Sequence, residues 1–375
     1  MSGDLALVMS GGGARAAFQV GFLRYVAELY PDLRVQIITG VSAGAINAAH
    51  LANHTGRFVD KVDALTQLWS NLRTEQVFEV SAVPTFVNVM RWGARLLLGS
   101  ASRHMRTRSL LDPSPLASFL ARALNSDDGD LPGVERNLAD GRLKALAVLA
   151  SCYSTGESVT WVQGDGVSEW ARGARIGYRT DITIPHILAS SALPFFFPAV
   201  RIDKRWYGDG SMRMIAPLSP AVRLGASRIL AISTRCSVEP THDANTVHRY
   251  PPPAQIAGAL FDSIFLDGFE SDVSRIRRVN SLIESMPTEQ RQEMSVVQIA
   301  MGRPSVELGQ LANEYEPQMP GSFRFMERGL GTQQTRANDM LSMLMFQPDY
   351  LGRLIEIGYR DAQPYEEEIR RVVEG

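Results

Sequence analysis

The fold is decided by residues 5–52, which read LALVMSGGGARAAFQVGFLRYVAELYPDLRVQIITGVSAGAINAAHLA. Residues 5–9 are all apolar, as expected for a strand that is buried on both faces. The sequence SGGGAR at 10–15 then predicts a tight loop. Residues 16–29 carry apolar side chains at three- and four-residue spacing, which predicts a helix.

The second half of this stretch repeats the same order of elements. Residues 35–39 predict a second strand, residues 40–44 a turn, and residues 45–52 a helix of small side chains. Such alternation of strands and helices indicates a parallel sheet with right-handed crossover connections. The fold class expected from this pattern is therefore α/β.

The rest of the chain divides into two parts. We expect a catalytic core over residues 1–237 and a mainly helical segment with one further strand over residues 238–375, packed on the core. The boundary is placed at 238–254, which is rich in Pro, His, Thr and Asn. Further strands are predicted at 143–152, 157–163, 200–203, 205–207, 229–233 and 296–301.

Composition and charge exclude several classes of protein. With 45% hydrophobic and 21% charged residues the chain is ordinary for a globular protein, and its net charge of −2 provides no field that favours nucleic acid. Cys152 and Cys236 lie in or beside apolar stretches and make neither a disulfide framework nor a zinc site. The N-terminus has no signal-peptide pattern, and no apolar run reaches the roughly 20 residues of a spanning helix. We expect a cytoplasmic protein, either free or peripheral on the inner membrane face.

The segment Gly40-Val41-Ser42-Ala43-Gly44 fits the Gly-x-Ser-x-Gly pattern of a nucleophile elbow. Such a turn presents the serine hydroxyl at a helix N-terminus, where the helix dipole favours developing negative charge. A side chain at Gly40 or Gly44 would collide with the neighbouring strand or helix. The pattern alone also occurs in ordinary turns, but its place between a predicted strand and helix favours Ser42 as a nucleophile.

Consecutive glycines after the first strand expose several backbone N–H groups toward one point, which suits an anion. In acyl transfer that anion is the oxygen of the tetrahedral intermediate. The candidates for this oxyanion hole are Gly11, Gly12, Gly13, Ala14 and Arg15. Arg15 would either position the loop or approach a lipid phosphate. The glycines also fit a relaxed dinucleotide fingerprint, but that fingerprint needs an acid at the end of the second strand, where this chain has Thr39-Gly40.

Asp209 lies between two glycines after a short apolar and aromatic strand, so its carboxylate can approach another backbone closely. Alone it fits an ordinary Asp-Gly turn. Beside the two other motifs it is the candidate base.

A serine triad would also need a histidine. The six histidines are His50, His54, His104, His186, His242 and His248. His186, just before a predicted helix, is the best candidate for a triad. His50 and His54 are one turn apart but lack the His-Glu-x-x-His pattern, so no metal site is expected.

Taken together, these residues make the chain resemble the patatin-like phospholipase family over about residues 4–235. The resemblance rests on the glycine loop, the elbow, the run ASSALP at 189–194 before FFFP at 195–198, and Asp209-Gly210. It departs at Ala16, where family members usually have glycine. The resemblance implies a three-layer α/β/α sandwich with a central, mostly parallel sheet and extra C-terminal helices.

The resemblance also implies a mechanism. Ser42 would be the nucleophile and Asp209 the base of a Ser-Asp dyad without histidine, with the amides of Gly12, Gly13 and Ala14 as the oxyanion hole. The expected function is hydrolysis of phospholipid or lysophospholipid acyl esters without a cofactor. Two alternatives stay open, namely a catalytically idle lipid-binding or regulatory protein on the same scaffold and an α/β-hydrolase with a histidine triad.

Residues 83–108 suggest a contact with a membrane. The segment combines apolar side chains and Trp92 with five arginines, and no acid lies between 91 and 108. A basic amphipathic segment can lie in an anionic membrane interface, although a packed helix followed by a solvated basic loop fits the same pattern.

Overall fold

A single mixed sheet organises the protein. The computed structural model describes residues 3–79, 109–236, 268–291, 294–318 and 339–375. Within them the strands are β1 (Asp4–Met9), β2 (Ile37–Val41), β3 (Ala145–Cys152), β4 (Ser158–Gly164), β5 (Trp170–Arg172), β6 (Arg175–Arg179), β7 (Val200–Ile202), β8 (Arg205–Asp209), β9 (Ala226–Ile232) and β10 (Gln298–Gly302). The sheet order is β10-β9-β1-β2-β3-β4-β6-β5, with β8 pairing to both β3 and β7.

Helices of the described residues flank the sheet. They are α1 (Ala17–Leu29), α2 (Ala43–Asn53), α3 (Phe58–Ser70), α4 (Thr74–Val77), α5 (Ser114–Ala123), α6 (Pro132–Ala139), α7 (Ile184–Ser190), α8 (Ser219–Arg223), α9 (Gly268–Ser285), α10 (Leu308–Tyr315), α11 (Asp339–Leu344), α12 (Pro348–Ala362) and α13 (Glu366–Glu374). Short 3-10 turns occupy Gly13–Ala16 and Gly210–Arg213. A helix long and apolar enough for a bilayer is absent from this part of the chain.

Five consecutive strands of the sheet, from β10 to β3, run parallel, and β4 is antiparallel to β3. β1 shows why the sheet is covered on both sides, because its side chains alternate between two faces. Leu5, Leu7 and Met9 belong to a core with α1, α2 and α12, whereas Ala6 and Val8 belong to a core with α8 and α9. The expected α/β/α sandwich with a mostly parallel sheet is therefore confirmed.

The second strand lies two residues later than predicted. It runs to Val41 because Gly40 pairs with Met9 of β1 and Val41 pairs with Leu149 of β3. Ladder pairing thus extends the strand into the elbow, so that Ser42 directly follows the last paired residue.

The C-terminal residues share the sheet and the core of the N-terminal region. β10 pairs in parallel with β9, and α12 packs against α1 so closely that a Cβ added at Gly21 would meet the Ile355 carbonyl oxygen. The boundary expected at 238–254 lies outside the described residues.

Candidate active site

Ser42 stands at the carboxyl end of β2 and is the N-cap residue of α2. Its backbone has φ 55° and ψ −131°, a conformation that non-glycine residues rarely adopt and that is typical of functional sites. The flanking glycines permit it. A Cβ added at Gly40 would lie 2.3 Å from the Gly44 carbonyl oxygen, and one at Gly44 would lie 2.4 Å from that of Ser10. The predicted elbow therefore has the geometry that its sequence pattern requires.

Sheet pairing brings Asp209 to the same place. Strand β3 pairs with β4 on one edge and with β2 and β8 on the other, because Ala150 pairs with both Val159 and Asp209. Val41 pairs with Leu149, the residue before Ala150. β8 thus pairs with β3 directly beyond the point where β2 ends. This arrangement places Asp209 beside Ser42.

Asp209 is fully buried and firmly held. Its N–H donates to the Ala192 carbonyl at 3.0 Å, and its Oδ1 accepts from the Ser211 N–H at 2.9 Å. Its Oδ2 is buried without a well-formed hydrogen bond to any described residue. One oxygen of this carboxyl is therefore anchored and the other is left for another partner.

Burial raises the pKa of Asp209 from 3.8 to about 6, while hydrogen bonding by Ser42 and Ser211 lowers it. The influence of the Ser42 hydroxyl shows that it lies close to the carboxyl, although their alignment is not that of an ideal hydrogen bond. Catalytic hydrogen bonds are often long or poorly aligned before substrate binds. A carboxyl with a pKa near 6 is a better proton acceptor at neutral pH than an exposed aspartate.

The glycine loop directs unused donors to this site. The N–H groups of Gly11, Gly12, Gly13 and Ala14 donate to no acceptor among the described residues, and a Cβ added at Gly11 would lie 2.9 Å from the Ser42 Cβ. The loop therefore lies against the serine with free backbone donors, as an oxyanion hole requires.

Arg15 has a different place from the other loop residues. Its N–H donates to the Gly12 carbonyl at 3.1 Å, and its buried guanidinium donates through Nε to Ser342 Oγ at 2.5 Å. The side chain is therefore directed to α11 and braces the loop, and it is too buried to approach a lipid phosphate.

Two neighbouring serines hold the backbone of Ser42, and sequence reasoning gave neither of them a role. Ser190 Oγ accepts from the Ser42 N–H at 2.9 Å and donates to the Leu149 carbonyl at 2.6 Å. Ser191 Oγ donates to the Ser42 carbonyl at 3.1 Å. Both lie in the run at 189–194, so their position in that motif was the signal that could have found them.

A buried chain of hydrogen bonds holds the start of the glycine loop at the Ser10 carbonyl. Trp69 Nε1 donates to Asn47 Oδ1 at 2.7 Å, Asn47 Nδ2 donates to Gln19 Oε1 at 2.9 Å, and Gln19 Nε2 donates to the Ser10 carbonyl at 2.8 Å. No pattern in the sequence pointed to these polar residues, because each lies singly on a separate helix.

Ser42 also lines a narrow apolar pocket. The pocket is lined by side chains of α2, α3 and α5 and by a C-terminal stretch. The residues are Gly13, Ser42, Ala43, Ile46, Leu68, Trp69, Leu72, Val77, Leu116, Phe119, Ser191, Leu193, Phe197, Met343, Leu344 and Phe346. Its apolar lining suits an acyl chain.

The histidines of the described region have structural surroundings. His186 Nδ1 accepts from the Thr183 N–H at 3.1 Å and the ring packs edge-on against Trp161, so it caps α7. Burial lowers the pKa of both His50 and His186 to about 4. No histidine lines the pocket at Ser42, and no cluster of three metal-ligating side chains occurs within the described ranges. His104, His242 and His248 lie outside those ranges.

Comparison with solved structures found distant likenesses. VipD from Legionella pneumophila has a TM-score of 0.42 and 14% identity, covering 99% of this chain and 67% of that chain. Human GIVD cytosolic phospholipase A2 has a TM-score of 0.46 and 14% identity in its complex with methyl γ-linolenyl fluorophosphonate, covering 99% of this chain and 59% of that chain. The chain thus spans about three fifths of the human enzyme. No curated protein sequence matches it.

The sequence itself matches one family. A sequence profile of the patatin-like phospholipases matches residues 7–222, which is more than half of the chain and includes both Ser42 and Asp209. The chain therefore belongs to the patatin-like phospholipase family, a family of lipid acyl hydrolases.

Proposed function

We propose that this protein hydrolyses the acyl ester of a phospholipid or lysophospholipid with Ser42 as nucleophile and Asp209 as its only side-chain partner. The observation that carries the proposal is the meeting of β2 and β8 on one edge of β3. It sets a buried carboxyl of raised pKa beside a strained serine. Unused N–H groups and an apolar pocket adjoin the same serine.

The first half of the reaction forms an acyl-enzyme. Asp209 accepts the hydroxyl proton of Ser42 as Oγ bonds to the ester carbonyl carbon. The negative charge of the tetrahedral intermediate lies against the N–H groups of Gly11 to Ala14. The bond to the leaving oxygen then breaks, and that oxygen takes the proton from Asp209 and departs as an alcohol or lysolipid.

The second half releases the fatty acid. Water attacks the acyl carbon while Asp209 accepts a water proton, and the bond between carbonyl carbon and Ser42 Oγ breaks. The proton on Asp209 returns to Ser42, which restores both residues. The carboxyl acts as base and then as acid in each half, which suits a pKa near neutrality.

The direct test is turnover of p-nitrophenyl octanoate by wild type, Ser42→Ala and a matched control, Ser168→Ala. Ser168 is exposed and lies far from the motifs in sequence. We expect wild-type and control rates to agree and Ser42→Ala to lose at least about 10⁴-fold. Turnover by Ser42→Ala at the wild-type rate would refute the assignment.

Two alternatives are separated by the same assay. An idle lipid-binding protein would show no turnover in wild type. A histidine triad would make one of His186, His242 and His248 essential, and His186 already caps α7. We expect His186→Gln, His242→Gln and His248→Gln all to retain activity. The membrane contact suggested for residues 83–108 and the location at the inner membrane face remain proposals, because those residues lie outside the described ranges.

A further inference from the structure

Two adjoining clefts rich in arginine lie beside Ser211, which lines the larger of them. The larger is lined by Arg175, Arg213 and Arg275, and the smaller by Arg172, Arg175 and Arg223. They share Arg175, Ser158, Met214 and Ile215, so together they form one continuous basic surface. No carboxylate lines either cleft within the described residues.

Most of these guanidinium groups have no counter-ion. Arg172, Arg175 and Arg213 make no ion pair or side-chain hydrogen bond with described residues. Arg223 lies over the Trp170 ring at 5.7 Å, and Arg275 lies 3.6 Å from a carboxylate oxygen of Asp272. Burial and the like charges of Arg172 and Arg175 lower the pKa of Arg223. Five cations are thus gathered against one nearby carboxylate, which also accepts the Leu218 N–H.

The clefts adjoin the catalytic residues. Ser211 lines the larger cleft, its N–H holds Asp209 Oδ1, and its Oγ lies 2.7 Å from a Cβ added at Gly11. The same Cβ would lie 3.6 Å from Ser42 Oγ. Ser211 therefore links the larger cleft to Asp209, while Ser42 itself lines the apolar pocket.

We propose that the arginine clefts bind the phosphate group of the substrate's head group while the acyl chain occupies the apolar pocket. This inference rests on the function proposed above. Guanidinium groups match phosphate oxygens with paired charge-assisted hydrogen bonds. Ile215, 69% exposed at the rim shared by both clefts, adds apolar surface for the part of the lipid beside the phosphate. The preferred substrates are then acyl esters with an anionic phosphate.

The test compares two esters with the same acyl chain, lysophosphatidylglycerol and monoacylglycerol, which differ by the phosphoglycerol group. For wild type we expect the higher kcat/KM with the phosphate-bearing ester. The double variant Arg175→Gln/Arg213→Gln should lower the ratio of the two kcat/KM values by about tenfold or more, because it removes two charge-assisted partners of the phosphate. The single variant Arg213→Gln, at an exposed position, should lower it less.

The control is Arg136→Gln, an exposed arginine on α6 away from both clefts, which should keep the wild-type ratio. An unchanged ratio in the double variant, with the fold intact by circular dichroism, would overturn the head-group assignment. An equal fall with Arg136→Gln would also overturn it, since it would reflect overall charge alone.

A binding experiment separates failure of this inference from failure of the proposed function. Calorimetry with Ser42→Ala measures affinity for lysophosphatidylglycerol, below its micelle concentration, and for inorganic phosphate. We expect the lysolipid to bind more tightly than phosphate and to lose about tenfold in affinity when Arg175 and Arg213 are changed. Equal affinity for both ligands would indicate a free-phosphate site and contradict the inference. Arginine-dependent lysolipid binding in a protein without hydrolysis would support the clefts and refute the proposed reaction.

Discussion

The two regions that adjoin the Ser42–Asp209 pair differ in chemistry and in the part of the chain that forms them. The apolar pocket is lined by helices of the core and by Met343, Leu344 and Phe346 of the C-terminal segment. The clefts beyond Ser211 are lined by arginines of short edge strands and of α8 and α9. In the proposed function, the apolar pocket binds the acyl chain and the arginine clefts bind the phosphate of the same ester.

The largest expected effect is at the Ser42–Asp209 pair. Asp209→Asn keeps an acceptor for the Ser211 N–H but removes the base, so we expect kcat to fall on the order of 10⁴-fold. The fall should be the same for lysophosphatidylglycerol and monoacylglycerol, because the base serves both. A loss confined to the phosphate-bearing ester would show that Asp209 belongs to recognition and not to the reaction.

The second effect is the pH dependence of the same residue. Burial raises the pKa of Asp209 to about 6, and only the ionised carboxylate can accept a proton. We therefore expect kcat/KM to rise about tenfold per pH unit below pH 6 and to level off above it. A pH series with p-nitrophenyl octanoate measures this. His186→Gln should give the same profile, and loss of the low-pH limb in that variant would assign the limb to histidine.

The third effect concerns the preference for acyl-chain length and tests the apolar pocket. Phe346→Ala widens the pocket, so we expect the kcat/KM ratio of p-nitrophenyl decanoate over butyrate to rise about tenfold. The preference for phosphate-bearing esters should stay as in wild type, since the clefts are untouched. The matched control is Leu282→Ala, an exposed apolar side chain on α9. An unchanged chain-length profile would show that the acyl chain binds elsewhere.

The smallest effect concerns stability. Because the pKa of Asp209 is raised in the folded protein, its contribution to stability is fully present below pH 3.8 and is lost as the pH rises through about 6. Each pKa unit corresponds to about 1.4 kcal/mol, so Asp209→Asn should raise the free energy of unfolding by about 1–3 kcal/mol at pH 7. Urea unfolding at pH 7 and pH 4 should show the gain shrinking in acid. A lower free energy of unfolding for Asp209→Asn than for wild type at pH 7 would contradict the claim that the buried carboxylate destabilises the folded protein.

The sequence predicted the parallel sheet because β1 is continuously apolar and each of the first two strands is followed by a helix pattern. It did not predict β5 and β6, whose short segments WAR and RIGYR have no continuous apolar run and are held by pairing of β6 with both β5 and β4. The second strand was predicted two residues early, since its end is set by pairing with β3 and not by side-chain pattern.

The sequence predicted those parts of the site in which close backbone contacts require glycine. Gly40, Gly44 and Gly210 lie where an added Cβ would meet a backbone carbonyl oxygen, so the sequence marks the surroundings of Ser42 and Asp209. The residues that support the site have no comparable pattern in the sequence. Gln19, Asn47 and Trp69 come together only through helix packing. The arginines of the clefts, from Arg172 to Arg275, converge only in the folded chain.

The central claim is that Ser42 is activated by Asp209, and labelling with a fluorophosphonate at neutral pH tests it most directly. We predict rapid, stoichiometric labelling of wild type, none of Ser42→Ala, and strongly slowed labelling of Asp209→Asn. Unchanged labelling of Asp209→Asn, or a modified residue other than Ser42 in the digested wild-type protein, would contradict the account.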